Sequence, residues 1–174
     1  MTTSARRRRD SGFTLVELIL VMVVIFTLAT VVMPRFSDFF PSLQVRKSTE
    51  HLMAWARKAR ADAALTGTRQ RLYLDMVNRK FWIENEPRPI KEPGRFLPLG
   101  GAWAEEPLPD GVEFETIDKA ETDTDVKIRY VEFRPDGTST DATIVLASDN
   151  GDRQTLKIEG ATSKISIEQA TEQQ

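Results

Sequence analysis

The chain has 174 residues, of which 29% are charged and 40% hydrophobic, a composition that indicates one folded domain with an added anchor or tail. It contains no cysteine and one histidine, which excludes disulfide bonds, cysteine nucleophiles and histidine-rich metal sites. Its formal net charge of −2 is not that of a nucleic-acid-binding protein.

An apolar segment of 21 residues extends from Phe13 to Met33 and contains a single charged residue, Glu17. As a helix this segment would be about 32 Å long, enough to cross a bilayer core of about 30 Å. Four arginines at positions 6–9 precede it, so the positive-inside rule predicts a cytoplasmic N-terminus and an exported C-terminal part. We therefore predict a single-pass membrane anchor.

Two features bear on whether this segment is an ordinary signal peptide or a plain membrane anchor: the charge of Glu17 and the residues at which the segment ends. A carboxylate in a spanning helix costs about 2.5–3.5 kcal/mol at mid-membrane, and less near an end, so Glu17 is a candidate functional residue. An ordinary signal peptide would end in a small-x-small cleavage site, whereas this segment ends Val32-Met33-Pro34-Arg35. A plain single-pass anchor stays open as an alternative.

The sequence Gly12-Phe13-Thr14-Leu15-Val16-Glu17, followed by apolar residues, resembles the N-terminus of type IV pilins and type II secretion pseudopilins. The resemblance implies that a prepilin peptidase cleaves between Gly12 and Phe13 and that Phe13 is then N-methylated. It makes Glu17 the fifth mature residue, an acidic position in the family, and Pro34 the twenty-second, where the family often has a helix-kinking proline. We hypothesise that the freed amine of Phe13 pairs with Glu17 of its own or a neighbouring chain and sets subunit register.

A helical pattern continues beyond Pro34 and Pro41. Between Ser42 and Thr66 apolar residues recur at spacings of three, four and seven, and Gly67 is a natural stop signal. We predict one long helix, bent or briefly broken at the prolines, with its first half in lipid and its second half packed on a globular domain.

The pattern changes after Gly67 to short strands. A hairpin is predicted from Arg71–Asp75 and Lys80–Glu84, and residues 85–110 are rich in proline and glycine and should be mostly loop. The further predicted strands are Val112–Ile117, Val126–Phe133, Thr143–Ala147, Gln154–Glu159 and Lys164–Glu168. The fold class is therefore α+β, with a long N-terminal transmembrane α-helix packed on a small antiparallel β-sandwich. The predicted segments are 1–12 as a cytoplasmic leader, 13–33 and 34–67 as the transmembrane and periplasmic halves of the helix, and 68–174 as the globular domain.

One turn adds to the resemblance. Phe133 ends a predicted strand, and Pro135, Asp136 and Gly137 suit the turn that follows, although such turns are common. The phrase from Glu132 to Ser139 also resembles the GspH/FimT branch, which comprises the minor pseudopilins H of type II secretion and minor pilins of type IV pili. The segments 63–68 and 81–83 resemble that branch as well.

Other patterns favour structural roles over chemistry. Ser148-Asp149-Asn150 occurs in penicillin-recognising enzymes, but those also need a Ser-x-x-Lys nucleophile, which this chain lacks, so a polar turn over 148–152 is predicted. His51 is expected to face solvent. We predict no catalytic residue, cofactor or metal site. The alternatives left open are calcium on an acidic loop, and nucleic-acid binding by a basic cluster. The acidic residues are Asp118, Glu121, Asp123 and Asp125, and the basic ones are Arg46, Lys47, Arg57, Lys58, Arg60, Arg69, Arg71 and Arg79.

The resemblance implies a non-enzymatic minor pseudopilin of the type II secretion system, processed by prepilin peptidase and assembled into the periplasmic pseudopilus. The expected partners are other pseudopilins, prepilin peptidase, inner-membrane lipid and secreted cargo, with the globular domain in the periplasm. The first alternative is a type IV pilus minor pilin for pilus assembly or DNA uptake. The second is a plain membrane-anchored β-domain that binds a soluble partner and does not polymerise.

Overall fold

The N-terminal helix is the first element of the computed structural model, which describes residues 14–37, 39–123 and 127–169. Helix α1 spans Leu15–Ser37, and the chain divides into two units between Asp38 and Phe39. Pro34 falls inside α1. Within the described residues, no helix combines the length and the hydropathy that a membrane crossing requires.

The second unit begins with helix α2, Phe39–Thr66. Pro41 lies in its first turn, where proline is tolerated because the backbone N–H groups there have no helical partner. The helix ends as predicted at Gly67, whose φ of 65° is left-handed and whose N–H donates to the Ala63 carbonyl at 3.1 Å. The predicted apolar stripe is confirmed, because all of its members are buried: Val45, Leu52, Trp55, Ala56, Ala59 and Ala63.

The rest of the unit forms two antiparallel sheets. The strands are β1 Gln70–Asp75, β2 Lys80–Asn85, β3 Leu97–Pro98, β4 Glu106–Pro107, β5 Val112–Asp118, β6 Glu121–Thr122, β7 Ile128–Phe133, β8 Ala142–Ser148, β9 Arg153–Glu159 and β10 Lys164–Gln169. One sheet has the order β3-β2-β1-β7-β6, with β4 also paired to β2, and the other has the order β10-β9-β8-β5. The predicted α+β class with antiparallel pairing is confirmed.

Most of the predicted strands are one residue longer in the structure at one or both ends, and larger differences occur in the proline-rich segment and around β7. The proline-rich segment 85–110 contributes β3 and β4, each two residues long, because two residue pairings in each extend the edge of the sheet beside β2. Strand β7 begins at Ile128, after a turn at Lys127, and Val126 lies outside the described residues. The short β6 was not predicted, since two residues carry no periodicity.

A single hydrophobic core joins α2 to both sheets. Trp55 of α2 meets Phe81 of β2 edge-on, with ring centroids 5.0 Å apart, and Trp103 with centroids 4.9 Å apart. Leu146 and Ile158 supply the second sheet's share of the same core. Burial of these large apolar side chains supplies the main driving force that holds the helix and sheets together.

Candidate assembly site

The N-terminal residues that carry the processing prediction are only partly described. Gly12 and Phe13 lie outside the described residues, so the predicted cleavage and methylation site has no structural account. Thr14 immediately precedes α1, and its Oγ1 accepts a hydrogen bond from the Glu17 N–H at 3.3 Å. Thr14 and Glu17 therefore occupy the N-cap and N3 positions of a capping box, Thr-x-x-Glu. Sequence reasoning missed Thr14, although that spacing could have identified it.

The surface of α1 is apolar and exposed. The side chains from Leu15 to Leu28 are all exposed, and all except those of Glu17 and Thr27 are hydrophobic. An exposed apolar surface of this extent in a folded chain marks a site of contact with lipid or protein. The kink at Pro34 stays a prediction.

The turn after β7 connects the two sheets. Phe133 is fully buried, and the Gly137 N–H donates to the Arg134 carbonyl at 3.1 Å to close the turn. Asp136 Oδ1 accepts bonds from the Thr138 backbone N–H at 2.9 Å and its hydroxyl at 2.7 Å, and the backbone bond above all lowers the pKa of Asp136. The Ser163 hydroxyl, at the turn between β9 and β10, donates to the Gly137 carbonyl at 2.9 Å. The turn motif is therefore a structural junction between the sheets.

A buried carboxylate closes the base of the proline-rich loop 87–95. Glu86 is 1% exposed and accepts hydrogen bonds from Arg69 Nε at 2.8 Å, Arg69 Nη2 at 2.7 Å and the Gly94 N–H at 2.5 Å. The bond from Arg69 is the main cause of the lowered pKa of Glu86. This clamp holds the first and last parts of the loop together, and sequence reasoning missed it because its partners are 17 and 8 residues away.

A second charged cluster covers the outer face of the sheet that contains β1. Glu132 is 4% exposed and its Oε2 accepts a bond from Arg71 Nε at 2.9 Å. The Arg71 guanidinium carbon lies 3.7 Å from the centroid of the Phe96 ring and 4.3 Å from that of Tyr130. Stacking of this kind is favourable and holds Phe96, which directly follows the loop, against the sheet.

Aromatic rings extend the same face towards β2. Tyr73 stacks on Trp82 with ring centroids 5.2 Å apart and planes 4° apart. The Tyr130 hydroxyl donates to Glu121 Oε2 at 2.6 Å, and burial together with that bond raises the pKa of Tyr130 to about 12. Tyr130 therefore stays protonated at physiological pH and serves as a donor, not as a base.

The residues weighed for catalysis or metal binding have structural surroundings. Ser148 begins a polar turn, as predicted, in which the Gly151 N–H donates to its carbonyl at 2.9 Å. Of the acidic run, Glu121 accepts bonds from Tyr130 and from Thr140 at 3.0 Å, and Asp125 lies outside the described residues. In the part of the chain that the structure describes, no three acidic or histidine side chains form a group that could hold a metal ion. His51 is half exposed, with its Nδ1 3.8 Å from Glu106.

Most of the basic cluster is paired with carboxylates. The pairs are Arg46–Glu50, Lys58–Asp62, Arg69–Glu86, Arg71–Glu132 and Arg79–Asp110. These residues lie on α2, just before and on β1, and in the β1–β2 turn, so they belong to several elements. The arrangement neutralises much of the positive charge that the sequence concentrates there.

Comparison with known proteins bears on both units. Residues 7–33 match the family model described as the prokaryotic N-terminal methylation motif. No curated protein matches the sequence. The fold is similar to that of the minor pseudopilin EpsH of the Vibrio cholerae type 2 secretion system, at 10% identity over 74% of this chain and 99% of that one, with a TM-score of 0.59. The chain carries a prokaryotic N-terminal methylation motif and has a pilin-like fold.

Two further solved structures share this fold. Escherichia coli GspH has a TM-score of 0.58 at 17% identity, over 75% of this chain and 92% of that one. The type IV minor pilin FimU of Pseudomonas aeruginosa has a TM-score of 0.51 at 15% identity, over 75% and 92% of the two chains. At these identities the likeness concerns the fold, in which an N-terminal helix packs on antiparallel sheets.

Proposed function

We propose that this protein is a minor pseudopilin of a type II protein secretion system, cleaved by prepilin peptidase and assembled into the periplasmic pseudopilus. The observation that carries the proposal is the presence, in one chain, of the methylation motif at 7–33 and a fold similar to those of EpsH and GspH. The similar solved structures described above are minor pilins and pseudopilins, which favours a mechanical role.

The exposed apolar surface of α1 supports assembly through helices. A helix with this surface is stable in lipid or among other apolar helices, and it leaves lipid at low cost only if neighbouring helices bury it again. The same surface supports an inner-membrane location before assembly. Because four arginines at positions 6–9 precede it, we place the N-terminus in the cytoplasm and the β-rich domain in the periplasm.

Glu17 has two roles to serve in this proposal. Its backbone N–H takes part in the Thr14 cap, and its carboxylate is available to the α-amine that cleavage would create on Phe13. An α-amine has a pKa of about 8 and is positive near neutral pH, so in an apolar bundle the two charges would offset each other. Pairing with the amine of a neighbouring subunit would fix the axial register, and Pro34 would set the direction in which the chain leaves the bundle.

A type IV pilus minor pilin is the second candidate, favoured by the likeness of the fold to FimU. The two candidates predict different deletion phenotypes. Loss of a secretion pseudopilin leaves exoproteins in the periplasm, whereas loss of a minor pilin removes pili or DNA uptake. Secreted cargo would be a partner only in the first case.

The test of processing is the mass of the N-terminal peptide from the native membrane protein. We expect a peptide that begins at Phe13 and carries one added methyl group. A peptide that begins at Met1 or Thr2 would instead support the plain membrane-anchored domain, and would leave Glu17 without its proposed partner. A start beyond Met33 would mean a soluble exported domain and would contradict the filament model.

A further inference from the structure

The tip of the proline-rich loop 87–95 exposes a large apolar side chain. Ile90 is 94% exposed, more than any other large hydrophobic side chain in the described residues. Exposing an isoleucine to this extent gains nothing for folding, because the stabilisation that apolar side chains provide comes from their burial. The position therefore invites a functional explanation.

The loop that carries Ile90 is held rigid without any partner. The buried Glu86 carboxylate ties Arg69 to the Gly94 N–H, and Glu92 bonds Arg88 Nη1 at 3.2 Å and Arg95 Nη1 at 2.6 Å. The Glu92 N–H also donates to the Arg88 carbonyl at 2.9 Å. Prolines at 87, 89 and 93 restrict the backbone further. A side chain presented on an ordered loop binds at a lower entropic cost than one on a mobile loop.

The charge around the tip indicates what kind of surface it fits. The loop carries Arg88, Lys91 and Arg95 against Glu92, a net charge of +2, whereas residues 39–174 hold 19 basic and 23 acidic residues, a net of −4. Arg88 and Arg95 have about two thirds of their side chains exposed. A positively charged rim around one apolar anchor complements an apolar pocket that is bordered by carboxylates.

We propose that loop 87–95 is a docking element, and that Ile90 inserts into an apolar, carboxylate-rimmed pocket on a different pilin-like subunit of the same filament. The inference rests on the proposed function for the identity of that partner. A second copy of this chain is a poor fit, because the groove of about 390 Å³ beside Phe81 is bordered by Lys47 and His51 as well as Glu106, and so lacks a rim of carboxylates alone. A lipid surface is also a poor fit, because one isoleucine provides much less apolar area than the lipid chains that anchor proteins only marginally.

The hairpin provides a matched control. Val77 is also β-branched and 57% exposed, and it lies in the β1–β2 turn, at the opposite end of the hairpin from Glu86. The same experiment at both positions therefore separates docking through the loop from nonspecific contact by an exposed apolar residue.

The experiment places the photo-crosslinking amino acid p-benzoylphenylalanine at position 90 or 77 of the full-length chain in its own bacterium, with adducts identified by mass spectrometry. We expect position 90, and not 77, to give an adduct with another protein that has the N-terminal methylation motif. With that subunit and the full-length chain purified in detergent, Ile90→Asp should raise the Kd about tenfold, as loss of a buried anchor does, while Val77→Asp leaves the Kd unchanged. Both variants should keep the wild-type melting temperature.

Several outcomes would overturn the proposal: equal adducts at both positions, an adduct at 90 with lipid or with a second copy, or an Ile90→Asp variant that binds as well as wild type. The result is independent of the proposed processing, which the N-terminal mass reports separately. If the chain begins at Phe13 but gives no adduct at position 90, the docking proposal is wrong and the proposed function stands. If the chain is not cleaved and enters no filament, the proposed function is wrong.

Discussion

At the scale of single residues, the Glu86 clamp shows how one buried carboxylate organises a surface loop. Glu86 follows β2 directly and receives three hydrogen bonds, two of them from the guanidinium of Arg69. Charge-assisted bonds of this bidentate kind are stronger than neutral ones, and removal of a partner leaves a buried group unsatisfied. The clamp therefore contributes both to stability and to the shape of loop 87–95.

The clamp predicts a specific dependence of stability on pH. The pKa of Glu86 is lowered from its ordinary value of 4.5, mainly by the Arg69 bond. Its contribution should thus be complete above pH 4.5 and be lost as the pH falls through the lowered value of the folded state. Glu86→Gln should lower the free energy of unfolding by about 1–3 kcal/mol at pH 7 and by less at pH 3. Urea unfolding of both proteins at the two pH values measures this difference.

The matched control for that prediction is Glu92→Gln. Glu92 also bonds two arginines, but about a third of its side chain is exposed, so water can replace those bonds. Its substitution should change the free energy of unfolding by less than that of Glu86. Equal losses for the two variants, or a Glu86→Gln loss that persists at pH 3, would contradict the clamp as the source of the stabilisation.

At the scale of elements, the start of α1 joins a local cap to the proposed assembly contact. The Thr14 bond uses the backbone N–H of Glu17, so it survives when the side chain is changed to glutamine. Glutamine also suits the third position of a capping box. Glu17→Gln therefore removes only the charge and keeps a side chain that can bond the Thr14 N–H in a capping box, whereas Glu17→Leu removes both the charge and that capacity, although the Thr14 bond itself survives in either variant.

We predict that Glu17→Gln and Glu17→Leu enter filaments equally poorly, because both lack the charge that would pair with the amine of Phe13. Thr14→Ala should cost the helix about 0.5–2 kcal/mol and reduce incorporation less. The measurement is the fraction of processed chain that co-purifies with sheared filaments. Should Glu17→Gln behave as wild type while Glu17→Leu fails, Glu17 acts as a cap residue and the register hypothesis is wrong.

The elements also show which features the sequence could predict. The stripe from Val45 to Ala63 and the hairpin at Val77–Arg79 follow from local periodicity and turn chemistry, and both were predicted correctly. The pairing of β1 with β7 and the contacts of Arg71 with Glu132 and Phe96 join residues 25–63 positions apart. Side-chain patterns give each strand but not its distant partner, so this charged face and the exposure of Ile90 became visible only in the folded unit.

At the scale of the whole molecule, residues 39–174 combine one shared core with an acidic surface. Helix α2 contributes to the core of both sheets, and the Phe133–Gly137 turn holds the sheets to each other. The unit therefore packs around one continuous core, which agrees with the proposed role as a filament subunit. Loop 87–95 departs from this net negative charge, because it carries three basic residues against one acidic residue.

The same distribution of charge predicts weak binding to nucleic acid. Five of the eight basic residues in the central cluster are paired with carboxylates, among them Arg69 and Arg71, whose partners are buried. A protein that neutralises several phosphates loses affinity steeply as the salt concentration rises. The logarithm of its binding constant falls linearly with the logarithm of the salt concentration, with a slope of about −0.9 per phosphate contact. Here we expect Kd values for duplex DNA above about 10⁻⁴ M at physiological salt, at the weak limit of nonspecific binding, with a slope near that of one contact. Fluorescence anisotropy of a labelled duplex with the full-length chain between about 50 and 200 mM salt measures the Kd and its salt dependence. A salt dependence that corresponds to several phosphate contacts would instead favour a minor pilin that takes up DNA.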